Sequence, residues 1–212
     1  CLCLDLEVDP GDKSILKIGA LRPDTGRFLH FKGKYSLGAA LGEVDGLAAG
    51  ATFVLGHNVI RHDLNLLKAL APGLKLLELP VVDTLALSPL AFPRNPYHHL
   101  VKDYRLLKLA VNDPLADAER TVGLLRDQRD ALQREASEVL RSYHHLLVPE
   151  GANSGLNNFF MALTNAARPG REEAVSVLRQ TLDGRVCQLR MTRLLIEDIA
   201  DAEHSHVRRS RQ

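Results

Sequence analysis

The sequence predicts an α/β domain with a mixed central sheet flanked by helices, followed by a helical C-terminal extension. Three observations carry that class. Residues 2–8 alternate apolar and polar with the period of a strand. The run "TFVLGHN" is short and largely apolar, as expected of a central strand covered on both faces, and it leads into a helical pattern. Beyond about residue 150 only helical patterns and turns remain, with "RPG" and "DG" as the clearest breaks.

Along the chain, Leu2, Leu4, Leu6 and Val8 alternate with Cys3, Asp5 and Glu7, so the first strand has one apolar face and one face bearing two carboxylates. "PGDK" is a turn. "SILKIGALRP" reads as a second strand, with Ile15, Lys17 and Gly19 on one side and Leu16, Ile18 and Ala20 on the other. "DTGR" signals a hairpin into a third strand, "FLHFKG", which makes an antiparallel meander. "LGAALGEVDGLAAGA" has helical spacing through Leu37, Leu41, Val44 and Leu47. After "TFVLGHN" come a helix at "DLNLLKALA", a strand running into a short helix at "LPVVDTLALSPL", and a helix at "HHLVKDYRLLKLA". From Asn112 to Leu147 the pattern reads as one long helix, with Val122, Leu125, Leu132, Val139 and Tyr143 on one stripe. Pro114 suits its first position, behind Asn112 or Asp113 as cap. The expected division is a domain over 1–127 and a helical extension, or linker towards a further domain, over 128–212.

With 212 residues, 45% of them hydrophobic, the chain can bury a sizeable core. Its 27 Lys plus Arg against 26 Asp plus Glu give no global nucleic-acid signature, so any basic surface must be local. Three cysteines at Cys1, Cys3 and Cys187 form neither a disulfide framework nor a zinc spacing, which points to a reducing, cytoplasmic setting. Neither a membrane span nor a signal peptide is visible, so no membrane partner is expected. A start at Cys inside a strand suggests a segment of a longer polypeptide.

Four acids stand out by context: Asp5 and Glu7 on the first strand, Asp63 opening the helix after "TFVLGHN", and Asp117 in the first turn of "DPLADAE". Taken singly, Asp63 and Asp117 could simply favour helix N-termini through the macrodipole. Two carboxylates roughly 7 Å apart on a strand repel each other unless a cation or proton sits between them. Three stretches then occur in order: "DLEVD" with "ILKIGAL", "VLGHNVIRHDLNLL", and "YHHLVKDYRLLKLAVNDPLADAERTVGLL". Together they resemble the DEDD-type exonucleases of the DnaQ-like, ribonuclease-H-like fold, over roughly residues 2 to 126.

That resemblance implies a metal-dependent 3′-5′ exonuclease, with single-stranded DNA bearing a free 3′ end as the expected substrate. It implies two divalent cations, Mg²⁺ or Mn²⁺. One lowers the pKa of the attacking water and the other stabilises the leaving 3′-oxygen. Asp5 would bridge both, Glu7 and Asp117 would hold the nucleophile-side ion, and Asp63 would hold the other through water. His57 and Asn58 would lie near the substrate sugar, or else cap the following helix. The wording of the third stretch is also similar to the nuclease region at the N-terminus of some bacterial RecQ-like helicases, which would make a covalently linked helicase domain a partner.

The pattern departs from the family most clearly in the third stretch. In the histidine branch a His five residues before the last Asp serves the water, and here that position is Asn112; in the tyrosine branch a Tyr stands four before it, and here that is Asp113. An amide can position a water but cannot accept its proton. Two other readings therefore stay open: a catalytically weak or inactive nuclease-fold module that binds nucleic acid or docks a helicase, and an exoribonuclease, since no residue is assignable to a 2′-hydroxyl contact. His62, where the family usually has Phe, is expected to be packed. Around "RNPYHHLVKDYRLLK", the side chains of His98, His99, Lys102 and Arg105, with Tyr97 and Tyr104 interleaved, suit a single strand or else form a solvated helix face.

Overall fold

The computed structural model describes residues 1–95, 113–150 and 154–183. Among these residues the chain is α/β: a five-stranded mixed sheet flanked by helices. The strands are β1 (Leu2–Val8), β2 (Ile15–Arg22), β3 (Arg27–Phe31), β4 (Val54–Gly56) and β5 (Val81–Asp83), in the spatial order β3-β2-β1-β4-β5. β1, β2 and β3 pair antiparallel, whereas β4 joins β1, and β5 joins β4, in parallel. The parallel joins need crossovers, and helices α1 (Leu37–Leu47) and α2 (Asp63–Leu70) supply them.

The alternation in β1 separates two faces. Leu2, Leu4 and Leu6 join Ile18, Ala20, the α1 residues Ala40, Leu41, Val44 and Leu47, and Leu64 and Leu67 of α2 in one core. Full burial of such side chains contributes roughly 1.5–3 kcal/mol each. The second strand departs from simple alternation. Glu7 pairs with Lys17 but Val8 pairs with Ile15, so a bulge takes up Leu16. Ile15 rather than Leu16 therefore enters the core, and Leu16 is left exposed.

The opposite face of β1 and β2 is covered by helix α4 (Pro114–Leu132), which packs against α3 (Thr84–Ala91). Asp113 is the cap of α4: its carboxylate accepts the N–H groups of Leu115 and Ala116 at 3.0 and 3.3 Å. The buried stripe of α4 shares only Leu132 with the apolar one predicted. It runs through Pro114, Asp117, Ala118, Thr121, Gln128 and Leu132, while Val122 and Leu125 are only half-buried. Gln128 is tolerated because its amide donates to the Thr84 carbonyl and the Ser88 hydroxyl, both at 2.8 Å.

The long helix predicted from Asn112 to Leu147 is two helices, α4 and α5 (Ser137–Leu147). Residues 133–138 are all exposed, so no buried stripe selects a continuous helix there. The chain divides at this break into two compact units. One comprises residues 1–134 with 153–159, and the other 135–152 with 160–212. In the first, Gly155, which starts α6 (Gly155–Thr164), lies so close to Val81 that a Cβ would sit 2.4 Å from its backbone. In the second, α5 packs on α7 (Arg171–Leu182), and the buried His144 ring stacks on Phe160 at 5.4 Å. No helix of the described residues is long and apolar enough to cross a membrane.

Candidate metal centre

The strand period puts Cys3, Asp5 and Glu7 on the α4 side of the sheet. Cys3 marks that face, since its thiol donates to the Ala118 carbonyl of α4 at 3.2 Å. Directly across from Asp5 on β2 stands Gly19. A Cβ at Gly19 would fall 2.2 to 2.4 Å from the backbone of Pro114 and Leu115, so only glycine lets the first turn of α4 lie on the strand beside Asp5. A second anchor comes from β3, where His30 Nε2 lies 3.3 Å from the Asp113 carboxylate. Burial works to raise the Asp113 pKa, but the Ala116 N–H, the His30 ring and the Leu115 N–H outweigh it, and the carboxyl lies below its ordinary value.

With α4 held there, Asp117 comes down on the two strand acids. Asp5, Glu7 and Asp117 each offer a carboxylate oxygen, and these atoms all lie within 4.8 Å of one another. Asp117 is buried, and Asp5 and Glu7 are half-buried. At that spacing each ionised pair repels by on the order of 3 kcal/mol at an effective dielectric of about 20. Cationic side chains offset part of this: Arg120 Nη1 lies 2.6 Å from Asp117 Oδ1, and Lys17 stands opposite Glu7 in the β1–β2 pair. Three carboxylates and no soft donor make an oxygen set that fits a hard divalent cation such as Mg²⁺ or Mn²⁺.

Asp63 lies outside this group. It opens α2 and is only 2% exposed. Its Oδ1 accepts the Leu6 N–H at 2.8 Å, while its Oδ2 lies 3.6 Å from His62 Nδ1. β4 pairs with β1 only at Leu2 and Cys3, so Asp63 supplies an acceptor to the strand beyond the end of that ladder. Desolvation pushes the Asp63 carboxyl up to about 6, against the pull of the His62 ring and the Leu6 N–H. His62, expected to be packed, is instead half exposed, with 51% of its side chain accessible.

His57 and Asn58 are tied to the start of α3. His57 Nδ1 lies 2.9 Å from the Thr84 hydroxyl, and the Asn58 N–H donates to Asp83 at 2.8 Å. Asn58 holds φ at 59°, a left-handed conformation that Asn tolerates better than most residues. Asn112, His98, His99, Lys102 and Arg105 lie outside the described residues.

Sequence reasoning passed over Asp83, Thr84, Gly19, His30 and Arg120. Asp83 caps α3 through the Leu85 N–H and also accepts from Asn58 and Ile60, so it fixes the loop after β4. A strand ending in "VVDT" ahead of a helical run carries that capping signal. A lone Gly inside a strand pattern is a signal of close backbone approach, which Gly19 exemplifies. Neither a scan of protein-family models nor a search of the curated proteins finds a match to this chain.

Proposed function

We propose that the chain is a metal-dependent 3′-5′ exonuclease domain of ribonuclease-H-like fold that hydrolyses phosphodiesters at the 3′ ends of single-stranded DNA. The observation that carries this reading is the convergence of Asp5, Glu7 and Asp117 oxygens within 4.8 Å, from a strand and a helix more than a hundred residues apart in sequence. Three antiparallel strands followed by strands joined through helices support the fold assignment.

In this reading Asp5, Glu7 and Asp117 would hold a divalent cation, and a second would have to draw on Asp63. Bound there, the cations supply an activated water and charge stabilisation at the leaving oxygen. The protein's part is to hold three anionic oxygens at fixed spacing. Gly19, His30 and Asp113 do this by docking the α4 N-terminus on the strands. The buried Asp63 favours the rival reading, a nuclease-fold module of weak activity, because its carboxyl is engaged with the Leu6 N–H.

A single-stranded oligonucleotide labelled at its 3′ end separates the two. The expected outcome is early loss of the label with Mg²⁺ or Mn²⁺, none with EDTA, and resistance of a circular single strand. Intact label in both metals, with the oligonucleotide still bound, would leave the binding module standing.

A further inference from the structure

Arg120 sits where its charge conflicts with the site it borders. Its guanidinium is 2.6 Å from an oxygen of Asp117, a side chain only 8% exposed, while Arg120 itself is 48% exposed. Asp117 is therefore fixed and Arg120 is free to turn outward. The oxygens of Asp5 and Glu7 lie within 4.8 Å of that of Asp117, so a divalent cation in the group would stand close to the guanidinium and repel it. The same planar fork that grips a carboxylate matches a phosphate.

We propose that Arg120 is the displaceable counter-ion of the carboxylate group: it pairs with Asp117 before the divalent cation binds, is driven off by it, and then engages a phosphate of the nucleic-acid strand. The inference rests on the exonuclease reading and adds a residue that couples metal entry to substrate binding. It explains how three converging acids are tolerated in the folded chain before a metal arrives. It also gives Arg120 opposite effects on the two ligands, a signature that a merely structural residue would not produce.

The test uses the wild-type chain, Arg120→Gln and Arg120→Lys, all compared by circular dichroism for equal folding. Mn²⁺ affinity is measured by paramagnetic resonance of the free ion, and binding of a fluorescent oligothymidylate by anisotropy in Ca²⁺. Arg120→Gln is expected to bind Mn²⁺ more tightly, by on the order of tenfold, because a repelling charge is gone. It should bind the oligonucleotide several-fold more weakly, with the slope of log affinity against log salt reduced by about one. Arg120→Lys should stay near wild type for Mn²⁺ and lose part of the oligonucleotide affinity. Unchanged or weakened Mn²⁺ binding in Arg120→Gln overturns the proposal while leaving the exonuclease reading intact. An unchanged salt slope likewise overturns the phosphate contact. Absence of Mn²⁺ binding in the folded wild-type chain overturns both.

Discussion

Two helices of the first unit carry a buried aspartate in their first turn, and the two carboxylates meet different surroundings. Asp117 at α4 is 6% exposed and Asp63 at α2 is 2% exposed, so burial does not distinguish them. Their partners do. Asp117 meets two more carboxylates and the Arg120 guanidinium, an oxygen set that suits a hard divalent cation. Asp63 meets the Leu6 N–H and the His62 ring, but desolvation outweighs both and its carboxyl is pushed towards the neutral form. A first-turn Asp is thus a placement rather than a function, and the neighbouring element decides what it becomes.

The largest effect should come from Asp117→Asn. Losing a group that merely hydrogen-bonds a metal ligand already costs about 10–100-fold in affinity or activity, so loss of a ligand oxygen should lower nuclease activity by more than about 10²-fold. Its melting temperature in EDTA should rise, because two repulsive pairs lose their charge. A fall in that temperature would mean that the ion pair with Arg120 outweighs the carboxylate repulsion.

Gly19→Ala should follow. A methyl group 2.2 Å from the Pro114 backbone cannot be accommodated without moving α4, and overpacking of this kind costs typically 1–3 kcal/mol. Urea denaturation should show that loss together with weaker Mn²⁺ binding. Loss of stability with metal affinity intact would break the link between the close approach and the site.

Asp63→Asn should act in the opposite direction. The folded carboxyl titrates at about 6 and the unfolded one near 4, so the folded state binds more protons between them. Wild-type stability therefore falls as pH rises from about 4 through 6, and by pH 7 the charged form has cost about 3 kcal/mol. The amide keeps an acceptor for Leu6, removes that cost and should flatten the profile; equal pH slopes in the two proteins would contradict the burial argument.

The smallest change is Asp113→Ala, a lost cap of about 1 kcal/mol. Here the sign reverses. The folded pKa is depressed, so the contribution is present above the unfolded pKa near 4 and disappears as pH falls through the lower folded value. Thermal melts over a series of pH values should show the difference between Asp113→Ala and wild type in full at pH 7 and shrinking progressively as pH falls below about 4.

Local periodicity made the acid-bearing face of β1 and the capped start of α4 legible, because alternation and capping act over a few residues. Features set by partners distant in sequence were not legible. The Asp63 bond to Leu6 spans 57 residues, and no pattern around either residue announces it. The bulge that exchanges Ile15 for Leu16 depends on how β2 meets Val8, whereas alternation alone puts Leu16 on the side of Ile18. Gln128 occupies a buried position on α4 that apolar spacing assigns to other residues, and its amide nitrogen finds acceptors there only because α3 presents the Thr84 carbonyl and the Ser88 hydroxyl.

Equilibrium Mn²⁺ binding to wild type, Asp117→Asn and Asp63→Asn tests the contrast between the two helix starts most directly. The expected result is one saturable tight site in wild type, lost in Asp117→Asn and kept within a few-fold in Asp63→Asn. Tight binding that survives Asp117→Asn but disappears in Asp63→Asn would contradict the assignment of the metal to the α4 side of the sheet.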